Sequence, residues 1–272
     1  MGQNHHRPPS PGIPGEGRGE GRIARRARWL VSAACALSIY ITGCATSRPA
    51  IHPTPPRTTL VFLPGIAGSR PIDHGLIDTL IADGVVQDAI EIDWTLDRRP
   101  IDALQGSRVN HEQAKFAAAK LLALRAERPN DRIILAGHSG GTGVAVWTLE
   151  MLPAETPVVD DLLLLSPSLS PEYDLGPAFQ RIRGRALSVG SPEDRYVLQM
   201  GTSFYGTFDG KLVPAAGFSG FASPPAKLEQ LMVSREQLAS PAWMAHFNPL
   251  YPAFVRARIE PWLRKSQSLR SS

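Results

Sequence analysis

Cysteine is scarce in this chain: its 272 residues contain two, Cys35 and Cys44. Both fall in an N-terminal segment with the features of an export signal, so no thiol is left in the folded part for a disulfide, a paired-cysteine metal site or a cysteine nucleophile. A chain of this length can bury a sizeable core without a disulfide. Paired His/Asp metal-ligand clusters are also lacking, and we predict neither a metal nor another cofactor.

A net positive charge is lacking outside the N-terminal segment. The formal net charge is +4, and residues 1–43 account for all of it with six arginines against two glutamates. The remainder is neutral, which argues against nucleic acid as a partner.

Long hydrophobic runs are missing as well. Residues 1–21 are rich in Gly, Pro and charge and cannot form a core. Four arginines between positions 22 and 28 are followed by the uncharged apolar segment Trp29–Ile41. This segment is too short for a comfortable membrane span and is typical of a signal peptide. We therefore predict that residues 1–43 are a tail and signal peptide.

The signal segment ends in Ile41-Thr42-Gly43-Cys44, which resembles a bacterial lipobox. The resemblance implies that Cys44 becomes the N-terminus and carries acyl chains such as palmitate, which hold the protein at a membrane. The residue after the cysteine is Ala45 and not Asp, which resembles the retention signal of outer-membrane lipoproteins. This resemblance favours a location at the periplasmic face of the outer membrane. Residues 44–57, with four prolines, form the predicted tether. An ordinary signal peptide or an anchor helix is the alternative.

From residue 58 onward, strand and helix patterns alternate, as in a mostly parallel sheet flanked by helices. We predict one domain over residues 58–266, without internal repeats. The predicted strands are Thr58–Leu63, Ala89–Trp94, Arg132–Ala136, Val158–Ser166 and Arg185–Gly190. The predicted helices are Leu76–Ala82, His111–Arg128, Thr142–Met151, Pro177–Arg183 and Phe254–Leu263, the last anchored by Trp262.

The pentapeptide Gly137-His138-Ser139-Gly140-Gly141 lies between a predicted strand and a predicted helix. A G-x-S-x-G motif at such a junction is the pattern of a nucleophile elbow, which exposes the serine hydroxyl on a strained turn. The sequence therefore indicates Ser139 as a nucleophile.

A serine nucleophile needs a base. Of the seven histidines, His246 is the one that follows Ser139 in the chain. The elbow motif resembles that of the α/β hydrolases, whose chain order is nucleophile, acid, histidine, and this resemblance implies His246 as the base.

The acid has several candidates. Asp194 follows the predicted strand Arg185–Gly190, where a carboxylate could orient the imidazole, and we prefer it. Glu193 is adjacent, and Asp174 follows the preceding strand and is the main rival. Asp209 is more simply explained as a hairpin turn residue.

The oxyanion donors are backbone amides, one after the nucleophile and one after an early strand. Here these are the N–H groups of Gly140 and Ile66, the latter in Leu63-Pro64-Gly65-Ile66-Ala67-Gly68.

Together these motifs resemble the α/β-hydrolase superfamily, in particular its lipase and esterase branches, over about residues 58–266. The resemblance implies an α/β-hydrolase fold and a Ser-Asp-His mechanism, but no particular substrate. Two departures stand out: Pro64-Gly65 replaces the more usual His-Gly, and the early antiparallel strands have no room before Thr58. The gap between Ser166 and Arg185 is too short for a large lid domain.

We expect a serine hydrolase that cleaves a small-molecule or lipid ester through an acyl-serine intermediate. An acyltransferase or a thioesterase would use the same residues, a peptidase is a further alternative, and a non-catalytic surface lipoprotein could use the fold for binding. The aromatic-rich segment 199–223 is either part of an acyl pocket or a hairpin packed on the core. The oligomeric state does not follow from the sequence.

Overall fold

The computed structural model describes residues 56–153 and 157–271. The predicted tail, signal peptide, lipidated Cys44 and most of the tether thus lie outside the described residues. Among those described, no helix is both long and apolar enough to cross a membrane.

Six parallel strands form one sheet in the order β2-β1-β3-β4-β5-β6. Because parallel strands need crossover connections, helices cover both faces of the sheet. The strands are β1 Thr58–Leu63, β2 Asp88–Glu91, β3 Arg132–His138, β4 Asp161–Leu165, β5 Ala186–Gly190 and β6 Leu228–Met232.

The connections contain nine α-helices within the described residues, several of them a single turn long. These helices are α1 His74–Ala82, α2 Pro100–Gln105, α3 Ser107–Glu127, α4 Gly140–Glu150, α5 Gly176–Phe179, α6 Thr202–Tyr205, α7 Ala216–Ser219, α8 Pro252–Phe254 and α9 Glu260–Ser271. The π-helical segments Arg195–Gly201 and Val255–Ile259 lead into α6 and α9, and 3₁₀ turns form Arg235–Gln237 and Ala242–Leu250.

Alternate side chains along each strand point to opposite faces of the sheet. Leu60 and Phe62 of β1 belong to the core beneath α1 and the C-terminal helices. Val61 and Leu63 belong to the core beneath α3 and α4. Strands buried on both faces explain the continuous apolar runs in the sequence.

The chain's path through the sheet creates a crevice. From β1 the chain goes outward to β2, then crosses to β3 on the other side of β1 and continues outward to β6. The loops after β1 and β3 therefore diverge, and ligands of open α/β sheets bind at such a switch point. Ser139 follows β3 and Ile66 follows β1, so both lie at this crevice.

The α/β-hydrolase fold class, with its mostly parallel sheet and no large lid domain, is confirmed. Between β4 and β5 the structure has loops and the single-turn helix α5.

Several element predictions were wrong. Strand β6 was missed, and β2 ends at Glu91 instead of Trp94 because Asp93 accepts a turn hydrogen bond from the Thr95 N–H at 2.9 Å. Of the two alternatives for segment 199–223, the hairpin is not found, since this part of the chain forms α6 and α7 with loops between them.

Candidate active site

Ser139 occupies the sharp turn between β3 and α4. Its backbone angles are φ 52° and ψ −123°, a conformation that non-glycine residues rarely adopt. Strain of this kind persists where the surrounding structure enforces it. A Cβ on Gly141 would run into the carbonyl oxygens of Leu63 and Pro64, so glycine at this position is what allows the elbow to pack against the end of β1.

His246 and Asp194 form a buried pair. The Nδ1 of His246 lies 2.6 Å from Oδ2 of Asp194, and their side chains are 6% and 2% exposed. An ionised carboxylate can only accept, so Nδ1 carries the proton and Nε2 is left as the acceptor. This is the tautomer in which a histidine can take a proton from a serine.

Asp194 is held by the helix that it begins. It caps the π-helical segment Arg195–Gly201 and accepts a hydrogen bond at Oδ1 from the Leu198 N–H at 3.2 Å. Each carboxylate oxygen therefore has its own donor, so the carboxylate orientation is fixed from both sides.

The other carboxylates considered from the sequence have other partners. Asp174 is exposed and accepts from the N–H of Gly176 at 2.9 Å. The Oε1 atom of Glu193 lies 3.9 Å from Nη2 of Arg195. Asp209 accepts from the N–H and hydroxyl of Ser170 at 2.8 and 2.6 Å, which cross-links two loops. Of these candidates, the structure brings Asp194 to His246.

Ser139 and His246 line one cavity of about 280 Å³ together with His138, Arg70 and Phe247. The Ser139 hydroxyl and the His246 imidazole, both within the described residues, are not hydrogen-bonded to each other. Catalytic hydrogen bonds are often long in ligand-free enzymes and tighten when substrate binds.

The loop after β1 is fixed by two residues that the sequence analysis missed. The buried indole of Trp94 donates to the Pro64 carbonyl at 2.7 Å, and Asp93 accepts from the Ser69 N–H at 3.2 Å. The side chain of Ile66 lies against Gly140, where an added Cβ would come 2.5 Å from Ile66 Cγ2. The two residues predicted to supply the oxyanion amides are thus neighbours.

A second cavity of about 510 Å³ also opens at Ser139. It is bordered by Ile66 and Gly140 and does not include His246. Its walls are largely apolar, with Ile101, Leu104, Val197, Leu198, Tyr196 and Tyr205 among the lining residues. The Tyr205 part of segment 199–223 thus contributes to a cavity at Ser139, while Gly206, Gly210 and Gly220 adopt positive φ and turn the chain between α6 and β6.

His138, inside the elbow, is a second buried histidine. Burial lowers its pKa to about 3, with the nearby His246 adding to the effect, so it is neutral at ordinary pH. Burial also raises the pKa of Asp73 to about 6. The Nδ1 of His138 and Oδ1 of Asp73 are 3.7 Å apart, and with a neutral imidazole they form no ion pair.

Among the described residues, no group of three or more His, Cys, Asp or Glu side chains could hold a metal ion.

No protein-family model and no curated protein matches the chain. Several solved α/β hydrolases are similar to it in structure. The dienelactone hydrolase from Anabaena variabilis is 15% identical with a TM-score of 0.48, over 79% of this chain and 88% of its own. An α/β serine hydrolase without lid from Xanthomonas campestris is 12% identical with a TM-score of 0.46, over 79% and 84%. MenH from S. aureus is 12% identical with a TM-score of 0.45, over 79% and 96%. At such identities the likeness concerns the fold, and no residue role in this chain rests on it.

Proposed function

We propose that this protein is a serine hydrolase that cleaves carboxylic esters with Ser139 as nucleophile, His246 as base and Asp194 as acid. The observation that carries the proposal is the buried 2.6 Å contact between Asp194 and His246 beside a strained elbow serine. A structural role alone does not require a serine with positive φ in the same cavity as a histidine–carboxylate pair.

The proposed reaction has two steps. His246 Nε2 takes the proton of the Ser139 hydroxyl as Oγ bonds to the ester carbonyl carbon, and the carbonyl electron pair moves to oxygen. The N–H groups of Ile66 and Gly140 stabilise this oxyanion. Collapse breaks the bond to the alcohol oxygen, which takes the proton from His246. Water then gives its proton to His246 and attacks the acyl-serine, and Ser139 leaves reprotonated.

The two cavities suggest how an ester would lie. The leaving alcohol must be near His246, which protonates it, so the 280 Å³ cavity that contains His246 suits the alcohol. The acyl chain then extends into the 510 Å³ apolar cavity beside Gly140. An apolar cavity of this size lies within the range of ligand pockets and favours an acyl chain longer than acetyl.

Turnover of p-nitrophenyl acetate and octanoate by the full-length chain tests this assignment, with Ser139→Ala as the control. We expect both esters to be cleaved, octanoate with the higher kcat/KM, and both activities to vanish in the variant. Adding an alcohol as a competing acceptor separates a hydrolase from an acyltransferase, and an acyl-thioester substrate tests for a thioesterase. A folded protein that turns over none of these substrates favours a binding protein that has kept the fold.

We further propose that the protein is exported and anchored through a lipidated Cys44. The supporting features are the arginine-rich start, the short apolar segment and the sequence preceding Cys44. In a bacterial host, radiolabelled palmitate should be incorporated into the wild-type chain and not into Cys44→Ser. Wild-type chain that stays unlabelled and is released in soluble form would contradict the proposal.

A further inference from the structure

The backbone carbonyl of His246 accepts two hydrogen bonds from buried side chains. The Ser166 hydroxyl donates to it at 2.8 Å, and Nε2 of His138 lies 3.1 Å from it. A carbonyl can only accept, which places the proton of the neutral His138 on Nε2. Ser166 and His138 are each 2% exposed, so both hydrogen bonds are shielded from water.

The sequence removes one backbone donor from this carbonyl. His246 lies in the 3₁₀ segment Ala242–Leu250, where a carbonyl normally accepts from the N–H three residues later. That residue is Pro249, which has no N–H. A buried carbonyl left without a donor is costly, and Ser166 and His138 supply the donors.

Ser166 adopts a rare backbone conformation at the end of β4. Its φ is +49°, so two non-glycine residues with positive φ, Ser139 and Ser166, follow the adjacent strands β3 and β4. A positive φ is energetically unfavourable for any residue other than glycine. It usually persists where the surrounding structure enforces it. Here the strained residue is the one whose hydroxyl reaches His246.

We propose that Ser166 and His138 are positioning residues that fix the His246 imidazole for proton transfer. The proposal rests on the proposed role of His246 as base. Asp194 holds the ring at Nδ1, and the two donors hold the backbone from which the ring extends. With the side chain and backbone both held, Nε2 has little freedom to leave the direction of Ser139.

Two substitutions of Ser166 separate positioning from stability. Ser166→Ala removes the hydroxyl and keeps a Cβ at positive φ, whereas Ser166→Gly removes the hydroxyl and relieves the strain. We expect kcat on p-nitrophenyl octanoate to fall about tenfold in both variants. This is a smaller loss than the roughly 10²-fold loss that a 1 Å misplacement can cause. KM should stay unchanged because Ser166 lines neither cavity at Ser139. The glycine variant should melt at a higher temperature than the alanine variant.

His138 offers a rescue test. His138→Gln keeps an N–H donor near the position of Nε2 and should retain most of kcat, while His138→Leu should lose about tenfold or more. Wild-type kcat in both Ser166 variants would overturn the proposal. So would a kcat loss in the alanine variant that the more stable glycine variant does not share.

A readout without turnover keeps this test separate from the proposed hydrolase activity. The buried Nδ1–H of His246, bonded to Asp194, should give a low-field proton NMR signal that is missing in His246→Ala. We expect the signal to broaden in Ser166→Ala and Ser166→Gly and to stay sharp in His138→Gln. An unchanged signal in both Ser166 variants would overturn the positioning role, whether or not the wild-type protein cleaves esters.

Discussion

Asp194 and Asp174 each follow a strand, but their hydrogen-bond partners give them different roles. Asp194 bonds to His246 and Leu198, whereas Asp174 bonds to the backbone of its own loop. Replacing Asp194 with Asn should lower kcat by about 10³–10⁴-fold with little effect on KM, because the amide favours the wrong imidazole tautomer. Steady-state kinetics on p-nitrophenyl octanoate measures this.

The matched control is Asp174→Asn, which should keep wild-type kcat. If the two variants lose activity equally, Asp194 is not the acid of the triad.

His138 makes the stability of the protein sensitive to acid. Its native pKa of about 3 lies below the ordinary 6.5, so below pH 6.5 the unfolded chain takes up a proton that the native protein refuses. Stability is therefore full above pH 6.5 and falls as the pH drops towards 3. Asp73 acts in the opposite direction, since its raised pKa of about 6 stabilises the protonated native protein and this gain is lost as pH rises through 6.

We expect His138→Gln to remove the acid-sensitive contribution, which between pH 7.5 and pH 4 is on the order of 3 kcal/mol because pH 4 lies 2.5 units below the ordinary pKa of 6.5. Urea unfolding at pH 4 and pH 7.5 measures it as a smaller difference between the two pH values in the variant than in the wild type. An equal pH difference in both proteins would contradict the assigned pKa of His138.

Single residues were predictable where a motif fixes them in the chain. Ser139 and His246 follow from a pentapeptide and from chain order, and the structure brings both to one cavity. The contacts of Trp94, Ser166 and Asp73 were not predictable, because each joins the site through a partner far away in sequence. The spacing of Pro249 from His246 was visible in the sequence and shows that the His246 carbonyl lacks the usual 3₁₀ donor three residues later.

At the scale of elements, the elbow depends on the close approach of α4 to the end of β1. A methyl group on Gly141 would meet the Leu63 and Pro64 carbonyls, which are backbone atoms and cannot move aside cheaply. Gly141→Ala should lower the free energy of unfolding by about 1–3 kcal/mol and also reduce activity, because the oxyanion loop shifts. Thermal melting and turnover of the same sample measure both effects.

Gly176→Ala is the control, since its added Cβ would meet the exposed side chain of Asp174. Equal melting temperatures for the Gly141 and Gly176 variants would contradict the packing explanation.

Helix α2 forms part of the apolar cavity through Ile101 and Leu104. Leu104→Trp should fill the cavity and lower kcat/KM for octanoate by about 10-fold or more relative to acetate. Leu122→Trp, on the exposed surface of α3, should leave this ratio unchanged. A constant ratio in the Leu104 variant would place the acyl chain elsewhere.

Elements with a strong apolar pattern were predicted well, and elements set by turns were not. Strands β1, β3 and β4 have apolar runs and helix α3 buries one face, so their existence follows from the apolar pattern. The partly exposed edge strand β6 and the short helices between residues 195 and 219 lack such a pattern and depend on contacts with β5 and the core.

In the molecule as a whole, the two ends of the sheet have different roles. The carboxyl ends of the strands carry Ser139, Asp194 and the loop with Ile66. Near the opposite end, Arg132 contacts the buried Asp161 at 2.7 Å and donates to the Leu263 carbonyl at 2.9 Å, which ties the sheet to α9.

Arg132→Met should therefore reduce stability without changing the chemistry. Leaving Asp161 as a buried charge without this partner should cost about 3–5 kcal/mol in urea unfolding. The folded variant should keep wild-type kcat at low temperature. A loss of kcat in fully folded protein would show that the two ends are coupled.

Mapping a fluorophosphonate adduct by mass spectrometry on the full-length chain tests most directly whether Ser139 is the nucleophile. We predict one adduct, on the peptide that contains Ser139, and a labelling rate that falls sharply in His246→Ala and Asp194→Asn. Folded protein that takes no label, or that is labelled at another serine, would contradict the proposal that Ser139 is an activated nucleophile.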